Sequence, residues 1–185
     1  MPGGGSAATI VAAMGAALVA MVARICAANP KYAEHAGDAR QIVVESDDVR
    51  ARLSSARERD ERAFAEVVAA QHLPKNTPEE KTARREALEG ALRAAAEAPL
   101  SAAALSLDVL RLADRVLLIP NRSLASDAGC AAEFAAAALA ACAYNVRVNH
   151  RYMHDEGAIA EQSARLADYE CTAETLLSQV RAKAR

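Results

Sequence analysis

Ser6-Ala7-Ala8-Thr9-Ile10-Val11-Ala12-Ala13-Met14-Gly15-Ala16-Ala17-Leu18-Val19-Ala20-Met21-Val22-Ala23-Arg24-Ile25-Cys26-Ala27-Ala28 is the stretch on which the fold turns. Alanine is the best helix former and the smallest side chain that still packs, so the run predicts a helix whose neighbours come very close. It ends at Asn29-Pro30, because proline disfavours helix at the residue before it. No charge interrupts it from Ala7 to Ala23, which is also how a signal peptide or membrane span reads. It has no basic leader, falls short of the roughly 20 residues a span needs, and is built from Ala and Gly more than Leu and Ile. The reading is a buried helix, with neither membrane nor export involved.

Just upstream, Pro2-Gly3-Gly4-Gly5-Ser6 forms a glycine turn. Consecutive glycines allow φ > 0 and leave no side chain between backbone N–H groups and an approaching ligand. Ser6 is expected to cap the helix, whose positive dipole end would face the turn and favour an anion or a flat ligand.

The rest of the chain extends the helical reading. Of its 185 residues, 52% are apolar and only 3% aromatic, with no Trp; roughly a quarter are Ala, far above ordinary usage. No segment alternates with period two and no hairpin turn appears, so the expectation is all-α, with essentially no sheet. The length suits one domain spanning 1–185. Net charge is −2, with bases and acids interspersed, which speaks against a nucleic-acid footprint or a membrane-surface patch. Cys26, Cys130, Cys142 and Cys171 are far apart and read as reduced core residues of a cytoplasmic protein.

Five long, antiparallel, up-and-down helices can be placed. After Ser6–Ala28, the second runs from about Gly37 to His72. Thr77-Pro78-Glu79-Glu80 then supplies an N-cap, a proline at the first helical position and a capping-box acid. This third helix reaches about Leu118, with Pro99 as a kink or a break. A loop over residues 119–125 leads to Ser126-Asp127, which reads as the start of an Ala-rich fourth helix. A fifth follows Asp155 to Gly157 and ends with Arg181, Lys183 and Arg185 at its negative dipole end.

Two polar sets stand out on this apolar background. At 100° per residue, Ile42, Val49, Leu53, Phe64 and Val67 share a narrow stripe with Asp60 in its middle. A carboxylate there must be paired, hydrogen-bonded or protonated. It is either a structural partner of a buried base or an acid or base facing a cleft. On the fourth helix Asp127, Phe134, Ala138, Asn145 and Asn149 share a face, with two amides where alanine is otherwise the rule. Those amides bond either a neighbouring helix or a ligand. Ser126 and Asp127 also read simply as an N-cap and a first-turn acid. His150 and His154 have the i,i+4 spacing of a metal pair, but the zincin Glu and a clear third ligand are lacking, so they read as surface histidines and no metal is expected.

Taken in order, Pro2-Gly3-Gly4-Gly5-Ser6, Asp60-Glu61-Arg62-Ala63-Phe64, Leu73-Pro74-Lys75-Asn76-Thr77 with Glu79-Glu80-Lys81, Ala98-Pro99-Leu100, Ser126-Asp127-Ala128-Gly129 and Asn145-Val146-Arg147-Val148-Asn149 resemble one family. It is the cyclodeaminase/cyclohydrolase family, which includes the cyclodeaminase half of formimidoyltransferase-cyclodeaminase and stand-alone methenyltetrahydrofolate cyclohydrolases. The resemblance implies a homodimer of helical domains, a reduced folate, with or without a polyglutamate tail, in a cleft lined by helix ends, and no metal or redox cofactor. It implies Asp60 as the catalytic carboxylate. Around the folate it implies Pro2, Gly3, Gly4, Gly5, Ser6, Lys31, Tyr32, Asn121, Ser126, Asp127, Asn145 and Asn149. Three departures stand out: the family's usual helix before the glycine turn is lacking, Asn29-Pro30 stands where Gly and Lys are common, and Pro120 and Ser123 interrupt the loop around Asn121. The activity expected from the resemblance is methenyltetrahydrofolate cyclohydrolase, because no formimidoyltransferase domain accompanies the chain. The alternatives are formimidoyltetrahydrofolate cyclodeaminase and a non-catalytic dimeric bundle of the same descent.

Overall fold

The computed structural model describes residues 3–185, so Pro2 lies outside the described residues. These form five α-helices and two short 3-10 turns, with no strand among them. The helices are α1 (Gly4–Ala28), α2 (Ala36–Gln71), α3 (Pro78–Val116), α4 (Ala125–His150) and α5 (Glu156–Lys183); the 3-10 turns are Pro30–His35 and Arg122–Leu124. Helices α1 to α4 form a bundle in which each packs on the next and α4 closes back on α1, while α5 lies against α3 and α4. Short connections between long helices make successive ones antiparallel.

Small side chains set how close these helices come. Ala8, Ala12, Ala16 and Ala23 of α1, and Ala131, Ala135 and Ala138 of α4, are all buried in one core. At Gly15 the approach is closest: a Cβ there would lie 2.9 Å from the carbonyl oxygen of Ala131. Backbone cannot swing aside as a flexible side chain can, so any larger residue at 15 would drive α1 away from α4. By length and composition alone α1 and the stretch Arg122–His150 are long enough and apolar enough to cross a membrane. Both pack in the bundle, as a core helix of this composition does.

The caps show which local signals governed the chain. Thr77 Oγ1 accepts from the Glu80 N–H at 3.2 Å, and Glu80 Oε2 accepts from the Thr77 N–H at 3.2 Å, completing the expected capping box. Asp155 caps α5 by accepting from the Ala158 N–H at 2.9 Å. Two expected caps are not used. Helix α1 begins at Gly4, with Gly3 in extended conformation before it, so Ser6 sits inside the first turn. Helix α4 begins at Ala125 behind a 3-10 turn, and Ser126 caps nothing.

Other expectations are corrected. No described glycine has positive φ, so Gly4 and Gly5 serve for space rather than for left-handed backbone. Pro99 neither breaks nor ends α3, which runs through it. Cys26 and Cys142 are buried, but Cys130 and Cys171 are exposed; all four are free. Arg181 and Lys183 at the end of α5 do more than face a dipole: Arg181 forks onto Glu133 at 2.7 and 2.9 Å, and Lys183 reaches Asp114 at 2.6 Å.

Candidate active site

The main candidate for function is a cleft of about 460 Å³ at one end of the bundle. It opens between the first turn of α1, the second half of α2, the first half of α3 and the end of α4. Its volume lies in the range of small-molecule sites. The α2 stripe explains how it forms. Ile42, Val49 and Leu53 are buried in the main core, whereas further along the helix Asp60, Phe64, Val67 and Gln71 line the cleft at i, i+4, i+7 and i+11. Phe64 is therefore 60% exposed and is not a core residue. Its ring forms part of an apolar wall with Leu88, Leu92 and Tyr152.

Asp60 meets the glycine tract at close range. A Cβ on Gly5 would lie 2.6 Å from Asp60 Oδ1 and 2.7 Å from Oδ2, so only glycine leaves room for this carboxylate. Ser6 Oγ donates to Asp60 Oδ2 at 3.0 Å. Ser6 is 1% exposed, and its hydroxyl holds the carboxylate through Oδ2, leaving Oδ1 without a hydrogen bond among the described residues. Gly4 is the neighbouring point of contact, where a Cβ would come within 3.3 Å of Asn145 Nδ2. The N–H groups of Gly4, Gly5 and Ser6 have no helical carbonyl behind them, whereas the Ala7 N–H bonds Gly3 O at 3.0 Å. The first turn thus brings partial positive charge and unpaired donors to the cleft edge.

Behind the site lies Cys142, fully buried. Burial and, second, the charge of Asp60 push its thiol up to about 12, so it remains protonated and neutral. Asn145 and Asn149 line the opposite wall, both half-buried. Among the described residues no Lys or Arg lines the cleft, and the charged groups that do are the carboxylates of Asp60 and Glu61.

The cleft gathers Gly3, Gly4, Gly5, Ser6, Asp60, Asn145 and Asn149. Apart from Pro2, which lies outside the described residues, the remaining expected residues lie at the other end of the bundle, separated by the length of α1, roughly 36 Å at 1.5 Å per residue. Lys31, Tyr32 and Asn121 line a second cavity there, of about 340 Å³, together with Arg122 and Lys183. Lys31 Nζ stands 5.6 Å over the Tyr32 ring. The Asn121 amide donates to Cys26 Sγ at 3.5 Å and accepts from Ser123 Oγ at 2.7 Å. Ser126 and Asp127, in the first turn of α4, line neither cavity. His150 bonds Gln162 at 2.9 Å, and His154 lies in the connection after α4, so the two do not share a helix face. No group of three metal-binding side chains occurs among the described residues.

Glu61, Gln71, Leu88, Leu92 and Tyr152 were not anticipated as lining residues. Gln71 was legible, since the stripe through Asp60, Phe64 and Val67 reaches it next. Glu61 was hidden in an Arg-rich segment that reads as solvated, and Tyr152 follows the end of α4 with no periodic signal.

Comparison with known proteins bears on the family and the fold. The family model described as formiminotransferase-cyclodeaminase matches residues 1–168. The chain is 41% identical over 161 residues to the methenyltetrahydrofolate cyclohydrolase of Methylorubrum extorquens, covering 87% of this chain and 77% of that protein. It is 34% identical over 155 residues to the formimidoyltransferase-cyclodeaminase of Rattus norvegicus, covering 84% of this chain but 29% of that protein. The crystal structure of formiminotetrahydrofolate cyclodeaminase from Thermotoga maritima aligns with a TM-score of 0.88 at 26% identity, over 99% of this chain and 87% of that one. A matched family model over most of the chain, a like-sized relative at 41% identity and a shared helical architecture lead to one conclusion: this chain belongs to the formiminotransferase-cyclodeaminase family.

Proposed function

We propose that this chain is a folate one-carbon enzyme that hydrolyses the methenyl bridge of methenyltetrahydrofolate to 10-formyltetrahydrofolate. The observation that carries this reading is the Asp60 carboxylate, held by Ser6 against Gly5 in a cleft whose charged side chains, among the described residues, are acids alone. The methenyl bridge is a cationic amidinium between N5 and N10, so its charge complements the cleft, and the apolar wall of Phe64, Leu88 and Leu92 suits a flat ring system. Of the two like-sized relatives compared, the cyclohydrolase is the more similar in sequence, at 41% identity against 26% for the Thermotoga maritima cyclodeaminase.

In this mechanism water attacks the bridge carbon and Asp60 takes the proton it releases, giving a neutral tetrahedral adduct. Asp60 then returns that proton to N5 as the C–N5 bond breaks. The adduct's hydroxyl loses its proton to solvent, and its oxygen becomes the formyl oxygen on N10. One proton is released overall. The carbon is already activated by its positive charge, so acid–base chemistry suffices and no metal or redox cofactor is assigned. Glu61, paired with Arg57 at 3.9 Å, adds negative potential to the cleft.

The test is a paired assay on the purified chain. Enzyme-dependent loss of the methenyl ultraviolet absorbance, without ammonia release from formimidoyltetrahydrofolate, is the expected result. Ammonia release with no hydrolysis would instead assign the cyclodeaminase reaction. Binding of no reduced folate at all would leave only a non-catalytic bundle.

The reading includes a homodimer. Ile10, Met14 and Met21 of α1 are 50%, 52% and 37% exposed, and with Ala7, Ala17 and Arg24 they follow heptad spacing. Beside them on α4, Tyr144 and Val148 are 74% and 42% exposed, on one line with Ala137 and Ala141. A continuous apolar face of this kind calls for a partner, and a second copy offers the same face. Antiparallel pairing would set the partner's cationic cavity of Lys31, Arg122 and Lys183 beside the acid-lined cleft, where the carboxylates of a folate glutamate tail need cations. Sedimentation should show a wild-type dimer and a Met14→Glu monomer; a wild-type monomer at micromolar concentration contradicts the pairing.

A further inference from the structure

We infer that Pro99 is a positioning residue for substrate recognition, acting through the Ala95 carbonyl on the amide of Asn149. The inference rests on the folate reading above for its ligand, but its structural core stands apart from it. Pro99 is buried in the interior of the 39-residue helix α3, the costliest place for proline in a helix. Having no N–H, it leaves the carbonyl four residues earlier without its helical donor. That carbonyl belongs to Ala95, which lines the cleft.

Asn149 takes the vacant place. Its Nδ2 donates to Ala95 O at 3.0 Å and to its own helix at Asn145 O, 2.9 Å. Both acceptors are carbonyl oxygens, so the nitrogen of the amide must face them and Oδ1 is the atom left for a ligand. Asn145 is oriented the same way, with Nδ2 donating to Ala141 O at 2.8 Å. The wall opposite Asp60 therefore presents acceptors. The chemistry that matches is a heterocycle edge rich in N–H donors, which the reduced pterin ring of a folate supplies through its amino group and ring N–H groups. A ligand edge made of acceptors would meet unpaired oxygens and be rejected.

With alanine at 99, the helix regains an N–H for Ala95 O, and the Asn149 amide loses its sole claim on that oxygen. Pro99→Ala should fold with a Tm no lower than wild type, because a proline leaves a helix interior. KM for the methenyl substrate should rise about threefold to tenfold, the range of one hydrogen bond, with kcat within about twofold. In ¹⁵N NMR the Asn149 side-chain amide should lose protection from exchange. Asn149→Ala should raise KM in the same direction, and adding Pro99→Ala to it should change KM no further. Asn149→Asp, which keeps the size but loses both donors, should raise KM as well and serves if Pro99→Ala does not fold. Unchanged KM and unchanged Asn149 exchange in Pro99→Ala, additive effects in the double variant, or unchanged KM in Asn149→Asp would overturn the inference. If the wild type turns over no folate, the functional reading fails, while the NMR comparison still decides whether Pro99 governs Asn149.

Discussion

Asp60→Asn is expected to lower methenyltetrahydrofolate turnover by about 10² to 10⁴, the range contributed by a positioned general acid–base group. Asparagine has the same shape, and its amide oxygen still accepts from Ser6 Oγ, which holds the native side chain at 3.0 Å. What the substitution removes is the ability to take a proton from water and return it to N5. The helical circular dichroism and the melting temperature should therefore stay close to wild type while the enzyme-dependent loss of methenyl absorbance disappears. Undiminished turnover in a folded Asp60→Asn would take the proton relay away from this residue.

Gly5→Ala should produce a comparable loss by a different route. The added Cβ would lie 2.6 Å from Asp60 Oδ1 and 2.8 Å from Cγ, inside any tolerable contact. A side chain can yield where backbone cannot, so the carboxylate rotates away and gives up its bond to Ser6. The backbone of α1 has no reason to suffer: no described glycine occupies positive φ, and alanine is the better helix former by about 1 kcal/mol. The expected outcome is kcat reduced at least about a hundredfold, the low end of what a displaced catalytic base costs, with stability changed by no more than about 1 kcal/mol. Gly4→Ala is the internal comparison, since the neighbouring atom there is Asn145 Nδ2 at 3.3 Å. Its effect on turnover should be smaller. Full kcat in Gly5→Ala would mean that contact with the glycine tract does not place Asp60 for chemistry.

These two residues also show how far the amino-acid sequence can be read. The all-α fold was legible because alanine content, proline stops and one capping box act locally, and Thr77 with Glu80 forms that box in the structure. Asp60 was conspicuous because a carboxylate interrupted an apolar stripe. Its meeting with Gly5 was not legible, because the two are brought together only when α1 packs on α2. Local reasoning also misplaced Ser6 and Ser126 as caps. In each case the helix begins earlier than its hydroxyl residue, and Ser6 is claimed by Asp60 instead. The division of the expected folate residues between two ends of the bundle is likewise a tertiary fact. Nothing in spacing along the chain tells Lys31 and Asn121 from Asn145, yet they lie at opposite ends of the bundle. Pro99 reads from sequence as a kink or a stop, and its consequence, a carbonyl released to Asn149, appears only when α3 and α4 lie side by side.

The most direct test is hydrogen exchange of the wild-type protein with and without a stable reduced folate. Bound ligand should slow exchange at the backbone amides of Gly4, Gly5 and Ser6, which have no helical partner of their own, and across the cleft-lining segments around Asp60 and Asn149. Protection confined to the Lys31–Asn121 cavity, with the first turn of α1 unchanged, would contradict the assignment of the Asp60 cleft as the place where the folate's one-carbon bridge reacts.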